Sequence, residues 1–105
     1  MPRWLASTLR RIRALAAEQK VSFTLKALRE LAALGLDAVD ACETLEGLKT
    51  ADFIERLVSD VTGEWMHVFK PQVGGMEVYL KLILRDDCVV VSFHEDKGAD
   101  DEESA

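Results

Sequence analysis

The feature that most constrains this chain is the stretch VYLKLILRDDCVVVSFHED, residues 78 to 96, which alternates apolar and non-apolar residues across a central Asp86-Asp87 pair. Side chains of a strand point alternately to its two faces, so period-two alternation on both sides of a turn reads as an antiparallel β-hairpin. With Asp86-Asp87 as a two-residue turn, 85 faces 88, 83 faces 90, 81 faces 92 and 79 faces 94. That register assigns Val78, Leu80, Leu82, Leu84, Val89, Val91 and Phe93 to an entirely apolar core face. Tyr79, Lys81, Ile83, Arg85, Cys88, Val90, Ser92 and His94 fall on the other. A three-residue loop would slip the register by one, burying His94 and exposing Phe93, and the apolar pattern argues against it.

The second face matters for chemistry. Directly opposed Cβ atoms lie roughly 5 Å apart, so a phenol (Tyr79), an ammonium (Lys81), a guanidinium (Arg85) and an imidazole (His94) are held near one another. Proton transfer and anion binding use these groups.

The chain has 105 residues, enough for one domain with a core of its own. Its two cysteines, Cys42 and Cys88, have no CxxC spacing, and no apolar run approaches a membrane span. A reduced, cytoplasmic protein without a membrane segment is expected. The opening MPRWLASTLRRIRALAAEQK is basic and amphipathic, with its apolar residues at helical intervals, and is not read as a secretory signal.

Charge is distributed unevenly. Six acids against Lys97 give residues 95 to 105 a net charge of −5 out of the chain's −6, whereas seven bases against Glu18 give residues 1 to 29 a net of +6. A positive region capable of meeting a polyanion follows. KGADDEESA, beyond Asp96, is expected to be a disordered acidic tail, 97–105, appended to a single domain, 1–96.

Along the chain, Leu5, Leu9, Ile12 and Leu15 give a first helix, and VSFTL a short strand. Thr24 caps a second helix that Gly35 stops, and Asp37 opens a third that Gly47 closes. ADFIERLV reads as a short fourth helix, EWMHVFK as a strand, and Pro71 to Gly75 as a loop before the hairpin. Helices first and strands second predict an α+β fold, an antiparallel sheet with helices on one face.

Histidines and cysteines at 42, 67, 88 and 94 lack ligand spacing, so neither a metal nor another cofactor is expected. No GxSxG, phosphate-cradling glycine loop or DNA-reading signature is present. His94 alone could be an idle histidine at a strand end, and its Tyr79 and Lys81 neighbours weigh against that. His67 shares a strand face with Trp65 and Phe69 and reads either as a core histidine or as a working one. Arg10, Arg11 and Arg13 are either the wet face of the first helix or an RNA-binding cluster. Arg56 and Lys70 are, by default, solvated charges.

The run from LAALGLDAVDACETLEGLKTADF through WMHVFKP to VYLKLILRDDCVVVSF resembles the MqsR family, the motility quorum-sensing regulator toxins of bacterial toxin-antitoxin pairs. The order LGLD, GL, ADF, W, V-x-x-P, VYLK and VSF at matching intervals carries the likeness, across roughly residues 21 to 96. It implies a RelE-like α+β fold and a metal-independent endoribonuclease, an mRNA interferase that arrests growth. The partners it implies are mRNA, free or on the ribosome, and a cognate helix-turn-helix antitoxin. Tyr79 and Lys81 match the family's VYLK, and Ser92-Phe93 its SF. The chain departs from the family pattern at Glu55 and His94, where lysine is usual, and at Met66, where glutamine is.

Cutting RNA without metal uses the ribose 2′-OH as nucleophile and needs a base, an acid for the 5′ oxygen, and positive charge at the phosphate. On this reading the catalytic set is His94 and Tyr79 for proton transfer with Lys81 and Arg56 on the phosphate. Arg85, Lys70 and His67 would bind flanking nucleotides. The competing reading is a catalytically weakened relative that binds RNA or antitoxin.

Overall fold

A computed structural model describes residues 2–96, so the acidic stretch 97–105 lies outside the described residues. Three helices, α1 (Arg3–Ala17), α2 (Leu25–Ala33) and α3 (Ala38–Glu46), precede most of a six-stranded sheet. The strands are β1 (Val21–Phe23), β2 (Phe53–Val58), β3 (Trp65–Phe69), β4 (Gln72–Val73), β5 (Met76–Leu84) and β6 (Cys88–Glu95). Their order is β1-β6-β5-β3-β2, with β4 paired to β5. The class is α+β, and the sheet is antiparallel except where β1 runs parallel to β6.

Local chemistry sets the helix ends. The Thr24 hydroxyl accepts from the Ala27 N–H at the start of α2, and Asp37 and Asp40 form a reciprocal capping box on α3. Gly35, at φ +74°, ends α2 in the left-handed conformation that other residues adopt only under strain. Leu5, Leu9, Ile12, Leu15 and Ala16 of α1, Ala27 and Leu31 of α2, and Ala41 and Leu45 of α3 turn inward. They join Phe69, Val78, Leu80, Leu82, Cys88, Val90 and Phe93 in one core.

The hairpin corrects the expected register in an instructive way. Leu84 pairs with Cys88, Ile83 with Val89 and Leu82 with Val90, so the loop holds three residues, Arg85 to Asp87. A bulge at Val91 then restores the register, and Lys81 pairs with Ser92 and Tyr79 with His94. Near the loop Cys88 and Val90 therefore lie on the core face in place of Val89 and Val91. The slip and the bulge cancel, which keeps Phe93 fully buried and His94 off the core.

ADFIERLV is not a fourth helix. A single 3₁₀ turn, Thr50–Asp52, gives way to β2, which pairs with β3 through Arg56 to His67, Leu57 to Met66 and Val58 to Trp65. Short apolar runs do not distinguish helix from strand by period alone. Here the turn after Ser59 decides: its hydroxyl accepts from the Val61 and Thr62 N–H groups, and its N–H meets the Glu64 carbonyl at 2.8 Å. That fold-back leaves β2 alongside β3. The Pro71 to Gly75 loop contains β4, joined to β5 through Gly74 and Gly75, both at positive φ as a type I′ turn requires.

Candidate active site

Opposed residues share a face, so the registers sort every predicted site residue. Phe69 pairs with Leu80, and His67 with Leu82 and Arg56, which places His67 and Arg56 on the helix side. Val68 pairs with Lys81 and Glu55, so Glu55, Val68, Lys81 and Ser92 form a row across the uncovered side. Tyr79 and His94 form the next row. Val68 and Ile83 are buried but stand outside the helix-side core, as residues of this second face should.

The Tyr79 and His94 rings stack, centroids 5.1 Å apart and planes 11° from parallel. His94 Nδ1 lies 3.0 Å from the Glu95 carbonyl, which can only accept, so Nδ1 carries the proton in that contact. The Lys81 ammonium sits 5.8 Å from the Tyr79 ring centroid and has no acidic partner among the described residues. Burial and the neighbouring Glu55 charge push the Tyr79 phenol up, with Lys70 pulling the other way. Tyr79 therefore stays protonated near neutral pH and offers an O–H donor.

Helix α2 buttresses this face from the edge of β6. Lys26 Nζ donates to Ser92 Oγ at 2.9 Å and pairs with Glu30 at 2.8 Å, while Glu30 accepts the Phe93 N–H at 2.8 Å. Burial alone would raise the Glu30 carboxyl. Its bonds to Lys26 and Phe93, with the nearby charges of Lys26 and His94, outweigh that and hold it below the usual carboxylate range.

The remaining predicted residues do not converge on this point. Arg56 is clamped between two indoles, its guanidinium 3.8 Å from the Trp4 ring and 4.1 Å from that of Trp65. This correction follows from β2 being a strand, because alternation sends Arg56 and Glu55 to opposite faces. His67 is 6 % exposed beside Trp4, and its Nδ1 has no partner among the described residues. Burial, with the Arg56 charge, holds it below the ordinary histidine value. Arg85 closes two bonds on Glu64 at 2.9 and 2.7 Å, six residues up β5 from Tyr79, or roughly 20 Å at strand rise. Lys70 borders the face but is tied to Asp96 at 3.0 Å, a bond that raises its pKa and keeps it charged.

Sequence reasoning did not place Glu55 on this face. The alternation of FIERLV was the available signal. Cys88 has no chemistry to offer, since burial, with the charges of Asp87 and Cys42, pushes its thiol up to about 12.

Among the described residues no helix is long and apolar enough to cross a membrane, and no three His, Cys, Asp or Glu side chains gather as a metal site. The profile of the family described as motility quorum-sensing regulator, toxin of MqsA, matches residues 6–95. The mRNA interferase toxin MqsR of Escherichia coli (strain K12) is 34% identical over 89 residues, which span 83% of this chain and 90% of that protein. With nearly the whole chain matched by the family profile, this protein belongs to the motility quorum-sensing regulator toxin family.

Proposed function

We propose that this protein is the toxin of a toxin-antitoxin pair and acts in the cytoplasm as an endoribonuclease that cuts mRNA without a metal ion. The observation that carries the reading is the stacked Tyr79–His94 pair beside Lys81, which has no acidic partner among the described residues, on the sheet face opposite the helix-side core. The K12 relative's description as an mRNA interferase supports the same reading. The 2′-OH attacks the adjacent phosphorus, His94 moves protons, Tyr79 donates a hydrogen bond to the reacting phosphate, and Lys81 offsets its growing negative charge. The Lys26 bond to Ser92, two residues before His94, ties β6 to α2. A cognate antitoxin, a small helix-turn-helix protein encoded beside the toxin, would hold it inactive.

The test is cleavage of a defined transcript by the purified chain in the presence of a chelator. Discrete cuts are expected, slowed about 10²-fold or more in His94→Gln and clearly slowed in Tyr79→Phe. Parental rates in both variants would overturn the assignment. The Glu55 carboxylate on the same face favours a second reading, a weakened relative that binds RNA or antitoxin without turnover. Binding with no cleavage at any pH would support it.

A further inference from the structure

The family relationship leaves unexplained why an acidic residue stands in the same row of the sheet as Lys81. Glu55 pairs with Val68, Val68 with Lys81, and Lys81 with Ser92, so a carboxylate and an ammonium flank one fully buried valine on the open face. Glu55 itself is exposed and makes no ion pair among the described residues. It is near enough to Tyr79 for its charge to be felt at the phenol. His94 lies on the far side of that phenol, stacked on it. Phenol and imidazole are thus stacked in one row, and the carboxylate stands in the adjacent row, two strands across from the phenol.

We infer that Glu55 is a catalytic residue, the general base that takes the 2′-OH proton, which leaves His94 as the general acid for the 5′ oxygen. The inference rests on the nuclease reading above and divides its chemistry between two residues. As the ribose 2′ oxygen bonds to phosphorus, its proton passes to the Glu55 carboxylate. The bond from phosphorus to the 5′ oxygen breaks, and that oxygen takes the proton of the His94 imidazolium. The products are a 2′,3′-cyclic phosphate and a 5′-hydroxyl, with no other reactant consumed. Tyr79 and Lys81, between the two, hold the phosphate.

The dimensions suit an in-line displacement. An acid and a base bonded at about 2.8 Å to opposite ends of the O–P–O axis sit roughly 9 Å apart. The β2 and β6 backbones are three strand spacings apart, roughly 14 Å, with Glu55 and His94 one row apart along the strands, and the His94 ring extends over Tyr79 into that interval. The charged and titratable groups around the Tyr79 phenol are Glu55, Lys70 and Asp96, with Lys81 over its ring. Those around His94 are Tyr79, Glu95 and the Lys26–Glu30 pair of α2. The bland account is that Glu55 is an inert charge on an edge strand, where charges discourage strand pairing between molecules.

The experiment uses the full chain and an RNA oligonucleotide carrying one mapped cleavage site, with the leaving 5′ oxygen either native or replaced by sulfur, which departs without an acid. On the native linkage Glu55→Gln and Glu55→Lys are each expected to cut at least about 10²-fold more slowly, with Glu55→Asp between them and the parent. On the sulfur linkage His94→Gln should recover to within about tenfold of the parent and Glu55→Gln should not. Binding of Glu55→Gln to an uncleavable 2′-deoxy analogue should be retained. If Glu55→Gln or Glu55→Lys cuts as fast as or faster than the parent, or the sulfur linkage rescues Glu55→Gln, the assignment is overturned and the nuclease reading stands. If the parent cuts neither linkage, the nuclease reading falls and takes this one with it.

Discussion

The two faces of the sheet use the same residue types for opposite ends. On the helix side, Arg56 and His67 are surrounded by Trp4, Trp65, Phe53 and Phe69, and the guanidinium spends its charge on two indole faces. On the open side, Lys81 and His94 share a single ring, Tyr79, among the described residues, and His94 adds only its contact with the Glu95 carbonyl. A cation enclosed by aromatic rings ties helix to sheet. A cation with one aromatic neighbour and no counter-ion among the described residues can meet a phosphate.

The sharpest way to break this comparison is to remove the layer both faces share. Phe93→Ala, at a position with no exposed surface, should cost about 3 to 5 kcal/mol, and thermal unfolding should show it as the largest destabilisation of any variant named in this paragraph. Next comes His94→Gln, expected to change stability by no more than about 0.5 kcal/mol because the ring is on the surface of the open face. A large loss of both stability and cleavage would mean that the imidazole is structural.

Arg56→Ala should do the reverse. Loss of two cation–π contacts should cost about 1 to 2 kcal/mol in chemical denaturation, while the cleavage rate of the folded fraction stays at the parental value. A hundredfold loss of rate would return Arg56 to the catalytic set. The smallest effect concerns His67. Burial holds its folded-state pKa below the ordinary 6.5, so as pH falls the unfolded chain takes up the proton first. Its contribution to stability is constant above about 6.5 and is lost as pH falls below that value. His67→Leu should remove this dependence and, by deleting a buried nitrogen without a partner, match or exceed the parent by up to about 1 kcal/mol. Urea midpoints at pH 5 and pH 7.5 compare the two.

Much of this was legible in residue order. Thr24, Gly35, Asp37 and Gly47 mark the helix ends because capping is local chemistry, and the helices form where they indicate. The hairpin was legible in outline and the Tyr79–His94 pair in detail, although the loop is three residues and the pairing survives only through the bulge at Val91. The site was legible in part. Tyr79, Lys81 and His94 come together, Lys70 borders them through Tyr79, and Arg56, His67 and Arg85 stand elsewhere. Arg56 was drawn into the wrong company because FIERLV carries helical and strand spacing about equally, and only a strand separates it from Glu55.

The amino-acid order by itself determined the helix boundaries, the alternation of the hairpin and the presence of a phenol, an ammonium and an imidazole on one side of it, since each depends on neighbours within a few residues. The tertiary structure alone decided that β2 is a strand, that Glu55 shares the open face while Arg56 lies under α1, and that Glu64 occupies Arg85. Those outcomes depend on pairing between segments far apart in the chain, where burial of whole faces outweighs local preference.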